Sequence, residues 1–157
     1  MADDLLINKL VIHSFKSVVE QEILLGRVNV FVGANGSGKS NALEALGVLS
    51  AAVSGRVDDE SLKYRGVRPG VPRLYKSAFS QKISPHIYFE ADAECANYTV
   101  SLNNPLENPR PAWRYKTEDL RSDGRSIASR GIKTVKNPEQ GIISSQAATS
   151  SMVSLSD

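Results

Sequence analysis

The chain has 157 residues, of which 41% are hydrophobic and 23% are charged, and its formal net charge is +2. These values are ordinary for a soluble globular domain or a piece of a larger protein. So small a net charge gives no support to a surface dedicated to nucleic acid. Cys95 is the only cysteine, which excludes an internal disulfide and fits a reducing compartment.

The N-terminus predicts no export or membrane insertion. It opens with Ala2, Asp3 and Asp4, unlike the basic start of a signal peptide. No apolar run approaches the roughly 18 residues that a membrane-spanning helix needs. We therefore expect a cytoplasmic protein without a membrane partner.

Three strands are predicted in the first part of the chain. Residues 5–15 are rich in Leu, Ile and Val, as in a largely buried strand. Residues 16–20 are predicted to turn the chain, and 22–25 to return as a short strand. Residues 28–32 form a β-branched run that ends directly at Gly33.

A helix is predicted next, followed by a loop. Apolar residues after position 40 recur at steps of three and four, on one helical face. They are Ala42, Ala45, Leu46, Leu49, Ala52 and Val53. Gly55 is suited to end this helix. Residues 56–75 are basic and contain Pro69 and Gly70, which predicts a loop with little regular structure.

The later part of the chain predicts four antiparallel strands. They span 83–94, 98–103, 113–120 and 126–130, and the short separators are rich in Asn, Pro, Asp and Gly. Such turn-forming separators favour antiparallel neighbours. Residues 131–157 are Ser-rich and predict a poorly defined tail.

The segment between the third strand and the helix matches the phosphate-binding pattern G-x-x-x-x-G-K-[ST]. Its residues are Gly33, Ala34, Asn35, Gly36, Ser37, Gly38, Lys39 and Ser40. The glycines let successive backbone N–H groups turn toward a phosphate at a helix N-terminus. In this motif the lysine reaches the β- and γ-oxygens of ATP, and the serine hydroxyl binds Mg²⁺. We therefore predict a P-loop that binds Mg·ATP.

The same residues resemble a known family. The run GANGSGKS at 33–40 is similar to the loop of ABC-type ATPase heads, and LVIHSFKS at 10–17 to the opening strand and turn of SMC, RecF and OLD-type ATPases. The run NALEAL at 41–46 also matches. The resemblance covers 5–55 closely and 83–130 more loosely. It is nearest to bacterial AAA family ATPases of the RecF/OLD-like group, which serve in DNA repair or anti-phage defence.

This resemblance implies an α/β P-loop NTPase fold. An N-terminal head lobe at 5–55 would be followed by an antiparallel β-subdomain at 83–130. It also implies ATP contacts from residues 33–41 and from Lys16, a catalytic role for Lys39, and a place for Asn35 between the γ-phosphate and a second ATPase head. Glu44 is expected to face solvent.

Two family motifs do not occur in the sequence. They are the Walker B strand that ends in Asp-Glu and the signature loop, and the nearest approach to Walker B is IYFE at 87–90. The chain is therefore expected to be the N-terminal half of an ATPase, which hydrolyses ATP only when completed. The family's Mg²⁺-ligating glutamine would be Gln140 or Gln81, acting beside Ser40, and an ordinary loop role is the alternative for each.

Several functions remain open. The leading one is an ATP-driven switch in which two heads, as a homodimer or larger oligomer, act through an effector protein or on DNA. The alternatives are a nucleotide sensor without turnover, a transporter ATPase subunit and, less well supported, a P-loop kinase.

The only candidate nucleic-acid patch in the sequence combines cations with Tyr64 and Tyr75. The alternative interpretation of this segment is a solvated loop. Its cations are Lys63, Arg65, Arg68, Arg73 and Lys76.

Overall fold

The computed structural model describes residues 6–77, 79, 86–131 and 137–143. Its elements in chain order are β1 (Ile7–Phe15), β2 (Val18–Leu24), α1 (Lys39–Val53), α2 (Asp59–Tyr64), α3 (Pro72–Tyr75), β3 (His86–Ala93), β4 (Ala96–Asn103), β5 (Arg114–Ser122) and β6 (Arg125–Arg130). Within these residues, no helix is long and apolar enough to cross a membrane.

One six-stranded sheet contains all of these strands, in the order β2-β1-β3-β4-β5-β6. Each neighbouring pair is antiparallel, as predicted for the four later strands. The stretches 5–55 and 83–130 share this sheet, because β1 pairs with β3 in a register that places Ile12 opposite Phe89. The structure thus combines helices with an antiparallel sheet, and the two stretches do not fold around separate sheets.

The core lies between α1 and one face of the sheet. Alternate residues of the central strands are buried there, as expected for a sheet covered on one side. Examples are Leu10, Ile12, Ile87, Phe89, Val100 and Leu102, in one cluster with Ala45, Val48, Leu49 and Ala52 of α1. This packing fixes the P-loop helix α1 against the central strands of the sheet.

The β1–β2 connection is tighter than the predicted turn at 16–20. Phe15 pairs with Val18, so Lys16 and Ser17 alone form the loop. Lys16 has φ 52°, the left-handed conformation that two-residue hairpin turns require. The turn therefore holds Lys16 in a fixed position, and β2 begins four residues earlier than predicted.

The apolar run 28–32 was predicted as a strand, but it pairs with no described strand of the sheet. Val28, Val30 and Val32 are 84%, 80% and 87% exposed. A strand is stable only with a hydrogen-bonded neighbour, and no described strand pairs with this run, although β2 and the run border the same depression. The run nevertheless leads directly into the P-loop.

Residues 56–75 contain the short helices α2 and α3, so the prediction of a loop with little regular structure was wrong. Asp58 caps α2 by accepting from the Ser61 N–H, and the Ser61 hydroxyl accepts from the Asp58 N–H in return. Leu62, Val67 and Tyr75 are buried. A Cβ at Gly47 of α1 would lie 2.9 Å from the Arg65 carbonyl oxygen, so this glycine permits the close contact.

Candidate functional site

Gly38 of the P-loop adopts a left-handed backbone conformation directly before α1. Gly38 has φ 92° and occupies the N-cap position of this 15-residue helix. The Ala42 N–H donates to the Gly38 carbonyl at 3.1 Å, which closes the first helical turn. The free N–H groups of a helix N-terminus favour a bound anion. This helix N-terminus therefore offers N–H groups that can donate to an anion.

Side chains at two of the loop glycines would crowd serine hydroxyls nearby. A Cβ at Gly38 would lie 3.2 Å from the Ser17 hydroxyl, besides requiring a strained positive φ. At Gly33 a Cβ would lie 2.8 Å from the Ser37 hydroxyl. Gly38 thus needs glycine for its backbone conformation, whereas a side chain at Gly33 would require the Ser37 hydroxyl to move.

The Lys39 ammonium lies over the loop. Its Nζ donates to the carbonyls of Gly33 at 2.6 Å and Ala34 at 2.7 Å, and to the Ser37 hydroxyl at 3.2 Å. A phosphate in the loop would compete for this ammonium with neutral acceptors. Charge-assisted bonds to phosphate are stronger than bonds to carbonyls, so Lys39 is well placed to change partners.

Ser40 and Asn35 are both exposed. Ser40 lies in the first turn of α1, where its hydroxyl can supply the kind of oxygen ligand that Mg²⁺ prefers. Asn35 lies in the turn of the loop, and its side chain is open to solvent. The structure thus brings Asn35, Lys39 and Ser40 to one end of α1.

Lys16 pairs with a buried carboxylate beside the P-loop helix. Glu44 is only 6% exposed and forms ion pairs with both Lys16 and Arg68. The expectation that Glu44 faces solvent was therefore wrong. Residues 62–68 cover this side of α1, which is why a position outside the predicted apolar face is buried.

Asn41 joins the P-loop helix to the β1–β2 turn. Its amide donates to the Ser17 hydroxyl at 2.6 Å, and its side-chain oxygen accepts from Arg68 at 3.2 Å. Ser17 borders two separate depressions, one containing Lys39 and the other containing Lys16. The two lysines therefore face different depressions on either side of Ser17.

The depression that contains Lys16 is called the basic cleft below. Its volume is about 460 Å³. Its polar lining residues are Lys16, Ser17, Arg68, Arg73, Tyr75 and Lys76, and its other lining residues are Pro69, Gly70, Leu74 and Phe79. Lys76 is 2% exposed and donates to the Asn104 carbonyl. Burial lowers the pKa of Lys76 from 10.5 to about 8.

The buried Lys76 predicts that stability increases with pH above 8. Between pH 8 and 10.5 the unfolded chain keeps a proton on Lys76 that the folded chain has lost. The free energy of unfolding should therefore rise with pH in this range. Tyr75 and Tyr88 have raised pKa values and oppose this trend above about pH 10. Urea unfolding from pH 7.5 to 9.5 should show the rise in the native chain and not in Lys76→Met, whereas parallel curves would contradict it.

The candidate nucleic-acid patch is divided by the fold. Arg65 is fixed by the hydroxyls of Ser50 at 3.0 Å and Ser54 at 2.7 Å, and by the Ser61 carbonyl. Arg68 pairs with Glu44, and Lys76 is buried. The five cations therefore do not form one solvated stripe.

The structure does not bring Gln140 to Ser40. The Gly141 N–H donates to the Gly55 carbonyl at 2.8 Å, so Gln140 lies beyond the C-terminal end of α1. Ser40 is at the opposite end of that helix, about 20 Å away by the helical rise. Gln81 lies outside the described residues. Among those described, no group of three or more His, Cys, Asp or Glu could hold a metal ion.

The segment nearest to a Walker B pattern is a central antiparallel strand. Ile87 and Phe89 of β3 are buried in the core, and Glu90 lies on the opposite face. The Glu90 carboxylate accepts from the Tyr88 hydroxyl at 3.0 Å and from the Asn97 amide at 3.1 Å. Glu90 thus takes part in contacts of the sheet and not of the P-loop.

Comparisons with known proteins identify the family of the chain. The chain matches the family model described as "AAA domain, putative AbiEii toxin, Type IV TA system" over residues 28–151. It is 30% identical over 113 residues to the DNA replication and repair protein RecF of Clavibacter michiganensis subsp. michiganensis (strain NCPPB 382). That match covers 71% of this chain and 27% of the relative. The chain is thus a distant homologue of RecF and belongs to the AAA domain family of the AbiEii toxin type.

Proposed function

We propose that this chain is the nucleotide-binding part of an ATP-driven switch. The observation that carries the proposal is the Lys39 ammonium, which lies within 2.7 Å of two carbonyls of a loop that starts a helix. A cation held beside the loop that starts α1 supports binding of a triphosphate at the helix N-terminus. Residues 33–41 would contact the nucleotide, with Lys39 on the phosphates and Ser40 on Mg²⁺.

Closure of the switch would involve a second ATPase head. Asn35 is exposed in the turn of the loop, where a partner head could reach it and the γ-phosphate together. Lys16 would reach the nucleotide only by leaving Glu44, so we assign it a secondary role. The exposed free thiol of Cys95 suits a reducing cytoplasm.

Turnover would depend on residues outside this sequence. No Asp-Glu pair follows an apolar strand in the 157 residues. The matched relative is a DNA replication and repair protein, and the family description names a toxin of a Type IV system. The name of the relative supports DNA repair as the setting and DNA as partner, and the alternative of anti-phage defence with an effector protein rests on the sequence resemblance. A nucleotide sensor without turnover is the second candidate, because an intact P-loop without Walker B can bind ATP alone.

Calorimetric titration with Mg·ATP beside a phosphate-release assay tests this proposal. The same preparation of the full chain should bind ATP and release phosphate at the background rate. Adding the remainder of a RecF-like head should then produce turnover in the switch and none in the sensor. No ATP binding at all would refute both readings. Robust hydrolysis by the chain alone would show that it contains an unrecognised catalytic carboxylate.

Ser40 should act through the metal. Ser40→Ala removes one oxygen ligand of Mg²⁺ and leaves the ammonium and the backbone of the loop in place. We expect ATP affinity to fall by about tenfold with Mg²⁺ present, which corresponds to one lost contact of about 1.4 kcal/mol. With EDTA, the variant and the native chain should bind ATP equally. Calorimetry in the two buffers measures this, and an equal loss in both would assign Ser40 to the loop conformation instead.

A further inference from the structure

The basic cleft carries positive charge that the described residues do not neutralise. Lys16, Arg68, Arg73 and Lys76 line it. In the described part of the chain, Glu44 is the only carboxylate that forms an ion pair with any of the four. One carboxylate against four cations leaves a concentration of positive charge in a partly enclosed depression. Such charge favours an anionic ligand.

The backbone around the basic cleft is held by the fold. The Lys16 N–H donates to the Tyr75 carbonyl at 3.0 Å, and the Tyr75 hydroxyl donates to the Arg68 carbonyl at 2.9 Å. Lys76 donates to the Asn104 carbonyl from a buried position. These bonds fix the backbone around the cleft, so little ordering would remain when a ligand binds. Arg73 is exposed and forms no ion pair with a described carboxylate, so it is open to an incoming anion.

The cleft is separate from the P-loop. Ser17 lies between the two depressions, and its hydroxyl is held by the Asn41 amide at 2.6 Å. Lys39 lines the other depression and donates to the loop carbonyls. Occupation of one depression therefore does not require the other to be occupied.

We propose that the basic cleft is a second anion site that binds a phosphate group through Arg73, Arg68 and Lys16. Guanidinium groups pair with phosphate in a bidentate manner, and an ammonium adds a point charge. The volume of about 460 Å³ is within the range of about 300–1,000 Å³ found for small-molecule sites, so a diphosphate can enter. The phosphate is carried by a free polyphosphate or by a nucleic-acid strand, and Phe79, 74% exposed at the rim, can stack a base of such a strand. This inference does not rest on ATP binding.

The test uses the full chain with Lys39→Ala, in which the P-loop lysine is absent. Two probes are titrated without divalent cations, sodium pyrophosphate and a ten-nucleotide oligothymidylate. Arg73→Gln should weaken binding of the true ligand class by about tenfold, as expected for one charge-assisted hydrogen bond. Arg125→Gln is the matched control, because it removes another exposed guanidinium, from the opposite edge of the sheet. That control should bind like the parent.

Each outcome of the titrations has a defined meaning. Binding of pyrophosphate alone with the Arg73 dependence assigns the cleft to free polyphosphates. Binding of the oligonucleotide alone with the Arg73 dependence assigns the cleft to nucleic-acid phosphates. Binding of both probes with that dependence assigns it to phosphate groups of either source. Equal losses in Arg73→Gln and Arg125→Gln, or no binding of either probe, would overturn the proposal. Either result would leave the ATP titration of the native chain unaffected.

Salt dependence provides a second measure for the oligonucleotide. When the logarithm of affinity is plotted against the logarithm of salt concentration, each phosphate contact on a single strand contributes about −0.7 to the slope. Replacing Arg68 and Arg73 together with Ala should therefore flatten the slope by about 1.4. An unchanged slope would remove both arginines from the site. Thermal melting of each variant checks that the fold is retained.

Discussion

Replacing Arg130 with methionine should lower the free energy of unfolding by about 3–5 kcal/mol, because it leaves a buried carboxylate unpaired. Glu118 is 1% exposed and Arg130 4% exposed, and their charged atoms lie 2.9 Å apart. The Tyr98 hydroxyl and the Ile142 N–H donate to the same carboxylate at 3.0 Å and 2.9 Å. Burial beside this carboxylate raises the pKa of Tyr98 far above its usual range.

Arg121 provides the matched control for this prediction. It lies on the same sheet and pairs with Asp119 at 2.7 Å, but its side chain is 58% exposed. Arg121→Met should cost less than about 1 kcal/mol, as is usual for surface ion pairs. Urea unfolding of the two variants gives the comparison. Similar losses of unfolding free energy in both variants would mean that the Glu118 carboxylate becomes hydrated or protonated when Arg130 is replaced.

The Arg130 network also fixes the segment that follows the sheet. Arg130 donates to the carbonyls of Gln140 at 2.8 Å and Asn137 at 3.3 Å. The Tyr115 hydroxyl donates to the Ala52 carbonyl at the end of α1. Loss of Arg130 should therefore loosen residues 137–143 first, and their amide protons should exchange faster with solvent than those of β4.

Local sequence signals predicted the elements around the site. The strand pattern before position 15, the helical spacing from Ala42 onward and the glycines of the P-loop depend only on neighbouring residues. These features correspond to β1, α1 and the Gly38 cap. The pairing of β1 with β3 could not be predicted in this way, because it joins strands far apart in the sequence. Register between such strands is set by the shared core.

Glu44 and residues 56–75 show why the rest was missed. Pro69 and Gly70 favour a loop, yet the buried side chains of Leu62, Val67 and Tyr75 bind this segment to the core. The signal that could have revealed α2 was the capping pair Asp58 and Ser61. Once this segment covers α1, Glu44 is removed from solvent and needs its cationic partners. Tertiary packing thus overrode the loop preference of the local composition.

Replacing Lys39 with alanine should weaken Mg·ATP binding by about 10- to 100-fold. The estimate follows from the loss of one charge-assisted hydrogen bond to phosphate, worth about 1.5–3 kcal/mol net. In the native chain the ammonium must first leave the carbonyls of Gly33 and Ala34, which offsets part of the gain. If the bonds from Lys39 to these two carbonyls are strong in solution, the expected loss of ATP affinity is nearer to about tenfold than to about 100-fold.

Lys39→Arg and Lys16→Ala separate the possible causes of this loss. Lys39→Arg keeps the charge but not the compact ammonium, and it should recover little affinity if the loop requires a point charge. Lys16→Ala should change ATP affinity far less than Lys39→Ala, because Lys16 lines the basic cleft and pairs with Glu44. Calorimetric titration of Mg·ATP into each variant, with melting curves to confirm folding, gives the ranking. An affinity that is unaffected by Lys39→Ala would remove the P-loop from the nucleotide site, whereas equal losses at both lysines would place the triphosphate across Ser17.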